Sequence, residues 1–392
     1  MKVEQVYEIV NALTSQYLGE SDVVNTDLAN IADIGSKTIN LDNLDKYVRS
    51  LIDQIGKIYF VNRPYDGATP SLYMDSWEYG AIMEKITYDD LPVAQENPKW
   101  NLQDGQSYDP NVFTKPQVSA KFFSKKDTFQ IPMSFAEDQI KTAFQNATQL
   151  NSFFSMIETA ISTSMTVKID ELAMGALNYM IAMTLNSGSA NRAINLLSLY
   201  NAGKAAADQL TAAQAIYVPD FIRFASYIMG LYAKRLPRLS KLFNEGGRDR
   251  FTPRDRMRMI LLAEFESAAG VYLYSDTYHD EMVRLPKADV VPYWQGTGTS
   301  YAFSSTSKID VQINVRQVVD EVETISKVTV SQSGILGVIY DNYAVGAANL
   351  RRYVTANYNG LAEFYNNWYK FECGYFNDPN ENFLVFYVAD SN

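Results

Sequence analysis

Cysteine and histidine are almost missing from this chain, which carries one of each, Cys373 and His279. A lone thiol closes no disulfide within the chain, so nothing ties the protein to an oxidising compartment. One thiol and one imidazole are also too few for a Cys/His zinc site within a single chain. Positive charge is in deficit: 34 Lys and Arg stand against 45 Asp and Glu, a formal net charge of −11. Nucleic-acid binders normally carry a basic footprint, so this balance argues against that class while leaving room for a protein that lies near nucleic acid. No apolar run is long enough to span a membrane. The N-terminus, MKVEQVYEIVNALTSQYLGE, is interrupted by Glu4, Glu8 and Asn11 and lacks the apolar core of a signal peptide. These absences predict a protein made and kept in the cytoplasm, unless it leaves as part of something larger.

What is present is enough to fold. The chain has 392 residues, more than one hydrophobic core usually serves, so two or more packed subdomains are expected. Hydrophobic residues make up 47% and charged residues 20%, the balance of an ordinary folded protein. Tyrosine (27) and phenylalanine (20) are plentiful while tryptophan is rare (4). Tyrosine is amphipathic, so the composition fits a large core with a Tyr-rich rim, and equally fits extensive protein–protein contact.

Along the chain, helical spacing covers 3–18 and 42–56, the latter stopping at Gly56, and IYFVNRPY reads as a short strand. YGAIMEKITY (79–88) reads as a strand. A long stretch with Pro92, Pro98, Pro110 and Pro116 follows, and loops of that length are functional or flexible. Two alternating runs then suggest a hairpin: Val118, Ala120 and Phe122, a turn at Ser124-Lys125-Lys126-Asp127, and Phe129, Ile131 and Met133. Ser134-Phe135-Ala136-Glu137 has the form of a capping box and predicts a helix start. No proline occurs between Pro132 and Pro219. Apolar spacing predicts a helix with a short break near Asn151-Ser152, then a beam over 151–185 that would be about 50 Å long and would end at Ser187-Gly188-Ser189. Beyond it, helices are expected at 191–209 and 219–233 and through RMILLAEFESAAG. Strands are expected at 270–275, 309–315, 325–331, 334–341 and 383–389, with no internal repeat.

Chemistry-bearing residues are sparse. Asp276, His279, Asp280 and Glu281 lie together in DTYHDE and have the atoms for a metal or a shared proton, but such a loop histidine is more often simply solvated. Cys373 sits among aromatics in FECGYF, which favours a buried inert thiol over a dyad with His279. GTGTS (296–300) lacks the full dinucleotide fingerprint and the P-loop lysine. Lys234, Arg235, Arg238, Lys241, Arg248, Arg250, Arg254, Arg256 and Arg258 form a basic cluster interleaved with Glu245, Asp249 and Asp255. This cluster reads as an intersubunit salt-bridge surface or a solvated face before a nucleic-acid patch. Paired carboxylates abound without a distinguishing spacing, so glycosidase chemistry has no specific support. No catalytic, cofactor-binding or metal residue is assigned.

FQIPMSFAEDQIKTAF followed by LNSFFSMIETAISTSMTVKIDELAMGALNYMIA resembles the segment where Hong Kong 97-type major capsid proteins of tailed bacteriophages leave their extended loop and enter the spine helix. YGAIMEKITYDDLP resembles the outgoing strand, and NGLAEFYNNWYKFECGYFNDPNENFLVFYVAD the aromatic closing segment. The wording is most similar to the short-tailed, phi29-like group. The resemblance implies an α+β capsid fold, with an N-terminal arm (1–78), an extended loop (79–133), a peripheral domain with spine helix (134–190), an axial domain and mixed region (191–345) and closing strands (346–392). It implies self-assembly through pentamers and hexamers into an icosahedral virion shell in the host cytoplasm. Expected partners are a scaffolding protein, a portal and enclosed double-stranded DNA bound without sequence preference, with no cofactor, no membrane and no catalysis. Because the chain ends at Asn392, just after the closing run, the extra immunoglobulin-like domain of some members is not expected. Lys99 lies in the loop from which some members cross-link, with no partner assignable. Encapsulin-like shells and tail or portal components are the structural alternatives, and a carbohydrate-active enzyme is the alternative from another class.

Overall fold

The structure is a computed structural model that describes residues 70–73, 83–88, 91–111, 113, 115, 117–136, 147–274, 288–294, 307–319 and 322–390. The helices expected at 3–18 and 42–56, and the strand IYFVNRPY, lie outside the described residues. The chain divides into two compact units, and apart from Asn151–Met156 the elements below belong to the larger, Arg63–Leu150 with Ile157–Asn392.

Strand β1 (Met83–Tyr88) pairs antiparallel with β2 (Val118–Phe123), from Met83 opposite Phe123 to Tyr88 opposite Val118. The proline-containing stretch between them is a long excursion, in which residues 91–97 and 99–111 are all exposed. β2 and β3 (Lys126–Ala136) therefore do not form the expected hairpin. β3 joins a different, three-stranded sheet in the order β10 (Val345–Asn359), β11 (Phe364–Asn377), β3. The physical reason is the match of lengths and side chains. β3 is 11 residues long against six for β2, and it offers β11 a ladder from Ala136 opposite Phe364 to Lys126 opposite Gly374. Phe129 and Phe371 face each other in that ladder with ring centroids 5.1 Å apart, the kind of cross-strand pair that stabilises a sheet.

The helix start expected at Ser134 is also corrected. Strand β3 continues through Ala136, with its period-2 alternation kept to Phe135, and the Ser134 hydroxyl donates to Oδ1 of Asn366 across the ladder at 2.5 Å instead of capping a helix. The long helix α1 spans Ala147–Asn186 without a break near Asn151-Ser152. Its 40 residues make it about 60 Å long at the helical rise. Buried Met165, Ile169, Ala173, Leu177 and Ile181 recur at helical spacing along one side. Gly188 ends it with φ 62 and an amide bonded to the Leu185 carbonyl, as the Ser-Gly-Ser run predicts.

Next come β4 (Ala193–Asn195) and helix α2 (Leu196–Asn201), in place of one helix over 191–209. β4 pairs parallel with β12 (Phe383–Tyr387), and the Asn195 side chain accepts from the amides of Leu197 and Ser198, so the helix starts only there. A short helix α3 (Ala212–Ala215) precedes α4 (Pro219–Arg235), which opens on proline and ends on Lys234 and Arg235. RMILLAEFESAAG splits into β5 (Met257–Leu262) and α5 (Ala263–Tyr274), which also replaces the strand expected at 270–275. A short continuous apolar run does not distinguish a buried strand from a helix, and β5 is buried between neighbours on both sides.

β5 and β12 belong to a five-stranded sheet in the order β4-β12-β9-β5-β6, with β6 at Asp289–Val291 and β9 at Ile335–Asp341. Every residue of β9 is buried. Phe221, Met229 and Phe265 of the flanking helices share the core with Ile339, Leu384 and Phe386 of this sheet. β7 (Lys308–Val319) and β8 (Val322–Ser333) form a separate two-stranded ribbon that buries Ile309, Val311 and Ile313.

Candidate assembly interface

The sequence puts Asp378 and Glu381 in the turn NDPNEN between β11 and β12, and the fold brings three cations to them. Lys85 of β1 reaches Asp378 at 2.9 Å and Glu381 at 2.6 Å. Lys121 of β2 reaches Asp378 at 2.8 Å, and Arg250 lies 3.6 Å from Glu381. Asp378 is buried, which alone would raise its carboxyl pKa. The Lys85 and Lys121 ammonium groups outweigh that and hold it below the ordinary aspartate range. Arg250 also donates to the Tyr88 carbonyl at 3.3 Å, so the β1–β2 arm is tied at its root by both side chain and backbone.

The turn itself is fixed from behind. The Glu245 amide donates to the Pro379 carbonyl at 2.9 Å, and the Asn382 side-chain amide donates to the Thr252 hydroxyl at 3.1 Å. Gly246 lies against this turn, where a Cβ would stand 2.3 Å from Oδ1 of Asn380 and the Asn380 side chain would have to turn away. An ionised, doubly paired Asp378 is held as an acceptor and is no proton donor, so this carboxylate pair has the chemistry of a structural tether.

Beyond the root the arm is exposed and has no core of its own. Val93, Trp100 and Phe113 are 86%, 88% and 85% exposed. Single exposed apolar residues are ordinary, and several large ones on one coreless segment make it a candidate contact surface. Lys99 is exposed there, with its ammonium 5.2 Å from the Trp100 ring centroid. A second exposed tip is the β10–β11 turn, where Leu361 is 97% exposed and the tilted rings of Tyr358 and Tyr365 meet with centroids 4.7 Å apart.

Of the residues singled out in the sequence, the described ones are not gathered into one site. Asp276, His279, Asp280, Glu281 and GTGTS (296–300) lie outside the described residues. Cys373 is buried on β11, and burial pushes its thiol up to about 12, which fits an inert thiol. The basic cluster is divided. Arg250 serves the arm root, Lys241 pairs with Asp249 at 3.5 Å, Arg258 donates to the Asp255 carbonyl, and Arg256 lies over the Tyr343 ring. Among the described residues no group of three His, Cys, Asp or Glu stands as a metal site, and no helix is long and apolar enough to cross a membrane. Sequence reasoning missed Asp378 and Glu381. Their only local signal is a pair of acids in a turn, because their partners on β1 lie almost 300 residues away.

Residues 6–387 match the family described as Phi29-like phage major capsid protein. The chain belongs to that family. The major capsid protein of Bacillus phage GA-1 is 24% identical over 180 residues, covering 43% of this chain and 35% of that protein. The chain thus aligns with about a third of the length of that relative. Among solved structures, a chain in the capsid structure of Staphylococcus phage Andhra covers 86% of this one, with 87% of its own length matched, at a TM-score of 0.58 and 8% identity. A chain in the structure of the head fiber and inner core protein gp22 of native bacteriophage P68 covers 85%, with 87% of its own length matched, at 0.53 and 9%. At such identity the likeness shows the fold, and the α+β phage capsid fold that the Hong Kong 97-type resemblance implied is the one present.

Proposed function

We propose that copies of this chain assemble through pentamers and hexamers into a closed icosahedral shell enclosing the double-stranded DNA of a phage. The shell is part of the virion, is built in the host cytoplasm, and takes a scaffolding protein and a portal as further partners. It performs no catalysis. The expected division into N-terminal arm, extended loop, peripheral domain, axial domain and closing strands is part of this proposal. The observation that carries it is the family match over residues 6–387, with the exposed arm as its structural counterpart. A closed shell needs repeated contacts between identical subunits, and an exposed arm on a tethered root gives large contact area per residue. The acidic balance fits a container that holds DNA without adhering to it.

Negative-stain electron microscopy of the purified protein, made with and without a candidate scaffolding partner, tests this. Closed shells or flat hexameric sheets support it. Rings of about a dozen copies would transfer the chain to the tail or portal class. Persistent monomers under both conditions would overturn it.

A further inference from the structure

The segment from the end of α4 to the start of β5 folds back on itself beside the arm root. Ser240 and Arg250 form an antiparallel bridge, and the Thr252 amide donates to the Leu236 carbonyl at 2.8 Å. This places Leu239 beside Phe251, and with Leu242 all three are half exposed or more. Lys234, Arg235, Arg238 and Arg254 are exposed on the same segment and have no ion-pair partner among the described residues. Of the nearby acids, Glu245 faces Arg192 and Asp249 faces Lys241, which leaves Asp255 against four cations. A basic, apolar shelf therefore stands on a chain whose net charge is −11.

The arm has the opposite character. Residues 91–111 expose Glu96, Asp104 and Asp109 against the single cation Lys99, together with Trp100 and Leu102. Within one copy both surfaces are exposed, so the arm does not fold back on its own shelf. A ring of identical subunits needs a heterologous contact, in which one surface meets a different surface of the next copy. We infer that the acidic, aromatic arm (91–111) of one copy docks on the basic, apolar shelf (234–256) of a second copy. Charge complementarity sets the register of the contact, and Trp100 is its apolar anchor. Three apolar side chains among the cations gain nothing from a phosphate backbone, which favours a protein occupant over DNA. This inference rests on the shell-forming reading and names the surface the arm binds.

The test uses full-length protein made under conditions where the unaltered chain forms shells. A photoreactive benzoylphenylalanine replaces Trp100, the shells are irradiated, and cross-linked peptides are mapped. The dominant intermolecular link is expected within 234–256. In parallel, Lys234→Glu, Arg235→Glu and Arg238→Glu together lower shell yield about tenfold, as does reversal of Glu96, Asp104 and Asp109 to lysine, and the combined variant regains most of the yield. Links mapping only elsewhere overturn the inference, as does failure of the combined variant to regain yield when the links also fall elsewhere. A shelf variant that forms normal shells but loses DNA overturns it in favour of a nucleic-acid surface. Absence of shells from the unaltered chain removes the capsid reading itself, and this inference with it.

Discussion

Lys85 and Lys121 stand directly opposite each other across the β1–β2 ladder, and both ammonium groups end on Asp378, at 2.9 and 2.8 Å. Like charges facing each other across a strand pair repel. Here the shared carboxylate converts that repulsion into an attachment between the arm and the turn before β12. Removing it leaves Lys85 with Glu381 at 2.6 Å and takes the carboxylate from Lys121, whose side chain is 40% exposed. Asp378→Asn is therefore expected to lower stability by about 2 kcal/mol, the loss of charged hydrogen bonds with no buried cation left unpaired. Chemical denaturation checks the loss, and faster amide exchange over 83–88 distinguishes a loosened root from general destabilisation.

The same carboxylate fixes a pH dependence. A carboxyl held lower in the folded chain than in the unfolded one contributes stability that is fully present above the unfolded value, about 3.9 for aspartate. The contribution is lost as pH falls through the lowered folded value. The stability gap between the unaltered protein and Asp378→Asn is thus expected to be constant from neutral pH down to about pH 5 and to close only below about pH 4. A gap that closed near pH 6 would contradict the ion-pair assignment.

Cys373 is buried between β10 and β3, with its thiol pushed up to about 12. At pH 8 the native protein is expected to react negligibly with an aromatic disulfide reagent. One equivalent should react once the chain is unfolded. Rapid native labelling would show that the closing strands open readily.

Residues 91–97 and 99–111 are exposed throughout, so they contribute little to the core. Deleting 91–111 and joining the ends with a short flexible linker is expected to change stability by less than about 1 kcal/mol. Shell formation should be lost. A folded deletion variant that still assembles would remove the arm from the assembly mechanism.

Gly334 joins β8 to β9 with φ 70, and a Cβ there would lie 2.4 Å from the Val388 carbonyl oxygen. Both the left-handed backbone and the contact disfavour a side chain. Gly334→Ala is expected to cost about 2 kcal/mol or more in unfolding experiments.

The sequence by itself determined the elements whose signal is local. Proline-free apolar spacing marked α1, and Ser187-Gly188-Ser189 marked its end, because helical hydrogen bonds and glycine caps act within a few residues. Alternation marked β3, strands were expected within β7 and β8, and the scarcity of cysteine and histidine bounded the chemistry. The wording of 128–182 carried the family. Tertiary structure alone decided which strands pair. β2 and β3 are adjacent in sequence and alternate alike, yet they enter different sheets, because β11 offers β3 a longer ladder with Phe371 opposite Phe129. It also decided that Ser134 extends a strand, and that Asp378 meets Lys85 and Lys121. Strand pairing and ion pairing join residues hundreds of positions apart, and their energies depend on burial and register, which exist only once the chain has folded.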